Sequence, residues 1–73
     1  MKTIPVSALK QGDEVRLLNS VFRVLNISIV NRAGEEYYAL STIMDKTKAK
    51  YTFIKELNET IKIEQLEGEA QHD

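Results

Sequence analysis

Seventy-three residues, 42% of them hydrophobic and none of them cysteine, suffice for one small domain, because a core of this size buries only about 60% of the surface its unfolded chain exposes. Disulfide staples and Cys-based zinc sites are excluded, and a net charge of −1 rules out a polybasic or polyacidic chain as a whole. No apolar run approaches the roughly 18 residues of a membrane span, and the opening MKTIPVSALKQG lacks the apolar stretch of a signal peptide. A soluble, reducing, cytoplasmic setting is the expectation.

The small net charge conceals a division. Residues 1–55 carry nine Lys and Arg against five Asp and Glu, a balance of +4, whereas residues 56–73 carry one Lys against six acids, a balance of −5. A basic body with an acidic end suits a chain that meets a polyanion, or one whose tail covers a basic patch.

Pro5 lies in a lead-in segment where its missing N–H does little harm. Gly12 and Asp13 make a turn before residues 14–18, in which Val15 and Leu17 alternate with Glu14 and Arg16 as a half-buried strand requires. Asn19-Ser20 breaks the chain, and the run VFRVLNISIV over 21–30 is rich enough in β-branched residues to favour strand over helix. Its alternation slips, because Phe22 and Val24 lie on one parity and Leu25, Ile27 and Ile29 on the other. A bulge or sharp bend near 24–26 turns both sets inward, as in small sheets that coil into barrels.

NRAGEE over 31–36 reads as a hairpin loop, with Gly34 free to adopt positive φ. YYALSTIM over 37–44 is a third strand, DKTK a tight turn, and KYTFIK over 50–55 a fourth strand with Tyr51 and Phe53 on one face and Lys50, Thr52 and Ile54 on the other. ELNE turns again, TIKIEQL over 60–66 is a fifth strand, and EGEAQHD over 67–73 is expected to be a disordered acidic tail. The predicted fold is all-β: a five-stranded SH3-like barrel or strongly bent antiparallel sheet over residues 1–66.

The succession LKQGDEVRLLNSVFRVLNISI, YYALSTIM, TKAKYTFIKELNETIKIEQL resembles the N-terminal SH3-like (KOW-like) barrel of elongation factor P and its relatives. Leu9, Gly12, Val15, Val21, Phe22, Val24, Thr52, Phe53 and residues 61–63 carry the resemblance, which covers roughly residues 9–66. It implies the barrel fold and a translation-linked role. That family bears a functional basic residue, often modified, in a glycine-rich loop between its second and third strands. Here the loop is NRAGEE, with Arg32 as its only base beside two glutamates, so the modified-lysine chemistry is not carried over to Arg32. The family's other domains dock on the ribosome, and sharing one barrel does not transfer that job.

Catalysis finds no foothold in these residues. The one histidine, His72, lies in the polar tail, the carboxylate pairs Asp13-Glu14 and Glu35-Glu36 are chain neighbours that point apart or into water, and no phosphate loop or nucleophile elbow occurs. A non-enzymatic binding module with no cofactor and no metal is expected.

Its candidate nucleic-acid-binding residues are Lys46, Lys48, Lys50 and Lys55, with Arg23 and Arg32 as outliers. Were the pleat unbroken, Lys46, Lys48 and Lys50 would line one face about 6.6 Å apart, near the spacing of successive phosphates. Arg16 and Lys62 could widen the patch, and Tyr37, Tyr38 or Tyr51 could supply stacking planes. RNA or a ribosome-linked partner is expected ahead of DNA. The plainer reading makes the lysines a solvated face that blunts an edge strand, with Tyr51 and Phe53 in the core. The alternative function is a protein-interaction module: a small phage-type or regulatory accessory protein that docks on a larger enzyme, or a homodimer formed through a strand edge. An exposed patch of Leu18, Leu25, Tyr37 and Ile54 would favour that reading.

Overall fold

The computed structural model describes residues 2–64. The period-two hydrophobic pattern folds into six antiparallel strands: β1 (Lys2–Pro5), β2 (Glu14–Leu17), β3 (Ser20–Arg32), β4 (Glu35–Met44), β5 (Ala49–Glu56) and β6 (Thr60–Ile63), in the order β1-β6-β2-β3-β4-β5. Five strands were expected. The sixth, β1, comes from the lead-in, which has no alternation of its own; it pairs with β6 from Lys2↔Ile63 to Pro5↔Thr60, and Pro5 is tolerated because this is an edge strand. A 3-10 turn (Val6–Ala8) follows, held by the Val6 N–H on the Glu59 carbonyl at 2.9 Å, and it plants Val6 and then Leu9 in the core.

The slipped alternation of the long strand resolves as the bend it implied. The β3/β4 register shifts between Val24 and Asn26, so that Val24↔Thr42 and Ile27↔Leu40 point the same way with Leu25 as the extra residue. Phe22 and Val24 are thereby buried, Ile27 packs beside them and Leu25 is half-buried, but Ile29, also expected to turn inward, lies farther along the strand away from the core and is 56% exposed. At the bulge the Val24 backbone finds partners in the Gly12-Asp13 turn: Gly12 N–H donates to Val24 O and Val24 N–H to Asp13 O, both at 2.8 Å. Gly12 sits at φ +96°, a conformation that a side chain would strain.

The hairpins are tighter than the sequence suggests. The β2–β3 turn is Leu18-Asn19 rather than Asn19-Ser20, with φ of 53° and 62°. NRAGEE is mostly strand: Arg32 pairs with Glu35, leaving only Ala33-Gly34 as the turn, also with two positive φ values. Both are primed turns, whose twist matches that of the flanking strands. With 13 and 10 residues, β3 and β4 outrun the four-residue β1, β2 and β6, and their hairpin makes a projecting arm.

The core is Val6, Leu9, Val15, Phe22, Val24, Leu40 and Ile61, ringed by Ile4, Leu17, Ile27, Tyr38, Met44, Phe53 and Ile63. Thr42 is the buried polar side chain, and its hydroxyl donates to the Tyr51 carbonyl at 3.0 Å. Phe22 lies edge-on to Phe53 and Tyr51, with ring centroids 5.1 and 5.3 Å away. The reading of Tyr51 and Phe53 as core is right for Phe53, while Tyr51 is a rim residue 44% exposed. The expected extension of the last strand to Leu66 and the acidic tail 67–73 lie outside the described residues.

Candidate nucleic-acid interface

The lysine triplet does not lie along one strand. Residues 45–48 form the loop between Met44 and Ala49, closed by the Lys48 N–H on the Met44 carbonyl at 2.7 Å with Lys48 at φ 62°. A left-handed residue breaks the pleat, so the even spacing of Lys46, Lys48 and Lys50 does not become a ladder along one face. Only Lys50 is on β5; Lys46 and Lys48 are on the loop at its start. Proximity is nevertheless preserved, because all three belong to one end of the β4–β5 hairpin, and all three are exposed.

Register adds Arg23 to that end. Arg23 faces Ile43, which faces Lys50, so the two bases flank Ile43 on the outer sheet face, about two strand spacings or ~9.6 Å apart. The band continues: Arg16 opposes Val21 and lies diagonal to Arg23, and Lys62 of β6 opposes Arg16. Three acids are interleaved, the first being Glu14, which lies directly opposite Arg23 on the same face. Asp45 takes a bidentate hold on Arg23, with Nη2–Oδ1 at 2.6 Å and Nε–Oδ2 at 3.2 Å, and Glu64 accepts from Arg16 Nε at 3.0 Å. The Arg23 hydrogen bond keeps the Asp45 carboxyl below its ordinary range against the opposing effect of desolvation, with the charges of Arg23 and Lys48 helping; the Arg16 hydrogen bond does the same for Glu64. Among the described residues, none of Lys46, Lys48 and Lys50 is in a salt bridge. A shallow cleft of about 350 Å³, lined in part by Arg16, Asn19, Ser20, Asp45 and Lys46, runs between the β2–β3 turn and this loop.

Lys55 and Arg32 are not brought to this site. Lys55 faces Tyr38 on the inner side of the sheet, opposite in parity to Lys50, and its ammonium lies 3.7 Å from Glu59. Arg32 is at the arm's tip across from Glu35, nine residues along β3 from Arg23, or about 30 Å in an extended strand. That tip is acidic: Glu35 and Glu36 are joined by Glu56, which the register sets opposite Tyr37. The Tyr37 hydroxyl donates to Glu35 Oε1 at 3.2 Å, and the carboxylate's charge, ahead of that bond, raises the phenol's pKa. Beside that tip lies a carboxylate-rich trough of about 660 Å³.

Of the apolar candidates for a protein contact, Leu18 is 81% exposed on its turn and Ile54 stands out on β5, whereas Leu25 and Tyr37 are half-buried. Leu18 and Ile54 belong to different hairpins, and the four do not form one patch. Among the described residues no helix is long and apolar enough to cross a membrane. The Arg23–Asp45 and Arg16–Glu64 pairs escaped the sequence reading, since partners 22 and 48 residues apart leave no local signal.

The strand order, the mid-strand bulge and the bent sheet define a small all-β, SH3-like domain. No known protein family and no curated protein matches the sequence. Among solved structures the chain is similar to a translation initiation factor eIF-5A family protein from Naegleria fowleri, with a TM-score of 0.70 at 14% identity over 85% of this chain and 45% of that one. The chain thus spans less than half of that protein's length, and the likeness is one of fold.

Proposed function

We propose that this chain is a non-enzymatic binding module that holds a nucleic-acid backbone, RNA ahead of DNA, against the loop end of its β4–β5 hairpin. The observation carrying this reading is that Lys46, Lys48 and Lys50 converge on one end of the hairpin, exposed and without a salt bridge among the described residues, beside the Arg23–Asp45 pair. The fold likeness to a translation-factor family protein supports a ribosome-linked or other RNA partner. Contacts of this kind read phosphates and are indifferent to base sequence. Lys55 and Arg32, which lie elsewhere, drop out of the site; Arg16 and Lys62 extend it.

Three free lysines set the expected salt dependence. At about 0.7 counterions released per phosphate contact on a single strand, three contacts give a slope near −2 in log K against log salt, so raising salt from about 50 to 200 mM weakens binding roughly twentyfold. Fluorescence anisotropy against single-stranded RNA, single-stranded DNA and duplex DNA reads this directly. The triple variant K46E/K48E/K50E is expected to lose binding with an unchanged melting temperature. Loss of binding only together with loss of fold, or no binding by the parent protein even at low salt, rejects the proposal and leaves these lysines as a solvated surface.

A further inference from the structure

The sheet has two edges, and they differ. One is β1, four residues ending in proline; the other is β5, eight residues without glycine or proline, whose outer backbone edge pairs with no strand among the described residues. A long unpaired edge is a template for another strand. Tyr51 and Ile54, on opposite faces of β5, remain 44% and 37% exposed. We propose that two copies of this chain join β5 to β5, antiparallel about a two-fold axis through Phe53, into one continuous sheet.

The register follows from side-chain chemistry. In a continuous sheet outer faces must meet outer faces, so each residue lies opposite one of its own parity, and the two-fold axis must pass through a residue. An axis at Thr52 sets Lys50 against Ile54 and Ala49 against Lys55. An axis at Ile54 sets Phe53 against Lys55 and Thr52 against Glu56, and an axis at Lys55 sets the two Lys55 chains against each other. The axis at Phe53 alone gives every charged residue a complement. Lys50 then faces Glu56 of the second copy, Tyr51 faces Lys55, Thr52 faces Ile54, and each of these pairs occurs twice by symmetry, with the two Phe53 rings meeting at the centre. Opposite charges, a cation beside an aromatic ring and a β-branched pair are the cross-strand combinations that stabilise antiparallel sheets. Lys50 and Glu56 are both exposed and have no salt bridge within the described residues, so each side chain is available to the other copy, while the Glu56 N–H, which donates to Glu59 Oε2 at 3.0 Å, must exchange that partner to join the ladder.

Sedimentation equilibrium on the full chain tests this without any nucleic acid, and because Lys50 belongs to both proposals, the reversal at Glu56, which lies outside the nucleic-acid site, keeps the two outcomes distinguishable. A mass of twice 8.3 kDa is expected to appear as concentration rises. Lys50→Glu and Glu56→Lys each convert two attractive pairs into two repulsive ones and are expected to weaken the dimer at least about tenfold, while K50E/E56K in one chain restores it. In this cysteine-free chain, Thr52→Cys protein mixed with Ile54→Cys protein is expected to cross-link to the other variant and not to itself. A monomer mass up to millimolar concentration overturns the proposal, as does a dimer indifferent to both charge reversals or not rescued by the double change. Self-cross-linking by Thr52→Cys or by Ile54→Cys moves the axis off Phe53 and overturns the register.

Discussion

The contact between Phe22 and Phe53 measures how strongly the open sheet bends. Along the ladder Phe53 faces Leu40, and Leu40 faces Ile27, five residues beyond Phe22 with one of the five absorbed by the bulge. In a flat sheet the two α-carbons would be about 13 Å apart along the strand and ~9.6 Å across it, or roughly 16 Å in all. The rings instead meet at 5.1 Å with their planes 73° apart. An edge-to-face pair of this kind is worth about 0.5–1.5 kcal/mol beyond its burial. Unfolding by urea and by heat of the parent, Phe22→Leu, Phe53→Leu and the double variant isolates that term. The expected coupling is about 1 kcal/mol, with Phe22→Leu alone losing about 1–3 kcal/mol because it forfeits the Tyr51 contact as well. Against the ~4–11 kcal/mol total stability of a domain this size, that is a loss of several degrees in Tm. Additivity of the two substitutions within about 0.3 kcal/mol would refute the bent-sheet geometry.

Two further outcomes follow from the turns and the ion pairs. Leu18 adopts φ 53° while 81% exposed, so Leu18→Asn gives up little burial and relieves a left-handed conformation costly for leucine; a gain of about 1 kcal/mol, or ~4–8 °C in Tm, is expected by thermal unfolding, and an unchanged or lower Tm contradicts the turn assignment. Asp45→Asn releases the Arg23 guanidinium, so RNA binding should tighten and its salt slope steepen by about 0.7. The same pair predicts a pH dependence. Because Asp45 and Glu64 are both held below their unfolded values of about 3.9 and 4.3, their stabilising contribution is present above pH ~4 and is lost as pH falls through the lowered folded values; Asp45→Asn should flatten that acid limb, leaving the Glu64 part. An acid limb unchanged by Asp45→Asn would show that the Arg23 pair carries none of it.

Local pattern made most of the strands legible. Alternation in 14–18, 37–44 and 50–55 locates β2, β4 and β5 within a residue or two, and the parity slip between Phe22-Val24 and Ile27 announces the bulge, because a side-chain period of two leaves no other way to bring all three to one face. The sequence likewise marked the lysine cluster and the two glutamates that accompany Arg32 at the tip of the β3–β4 arm. It could not reveal β1, whose strand character comes from the edge that β6 offers, nor the left-handed backbone at Lys48 that takes Lys46 and Lys48 off the strand. Non-local pairing alone set Asp45 on Arg23 and carried Glu56 to the acidic arm, whereas the opposite parity of Lys50 and Lys55 within β5 was already legible. Periodicity thus determined which residues face inward along the strands it located. Only the tertiary register decided which charges meet, because strands distant in sequence become neighbours through hydrogen-bond ladders that no local window contains.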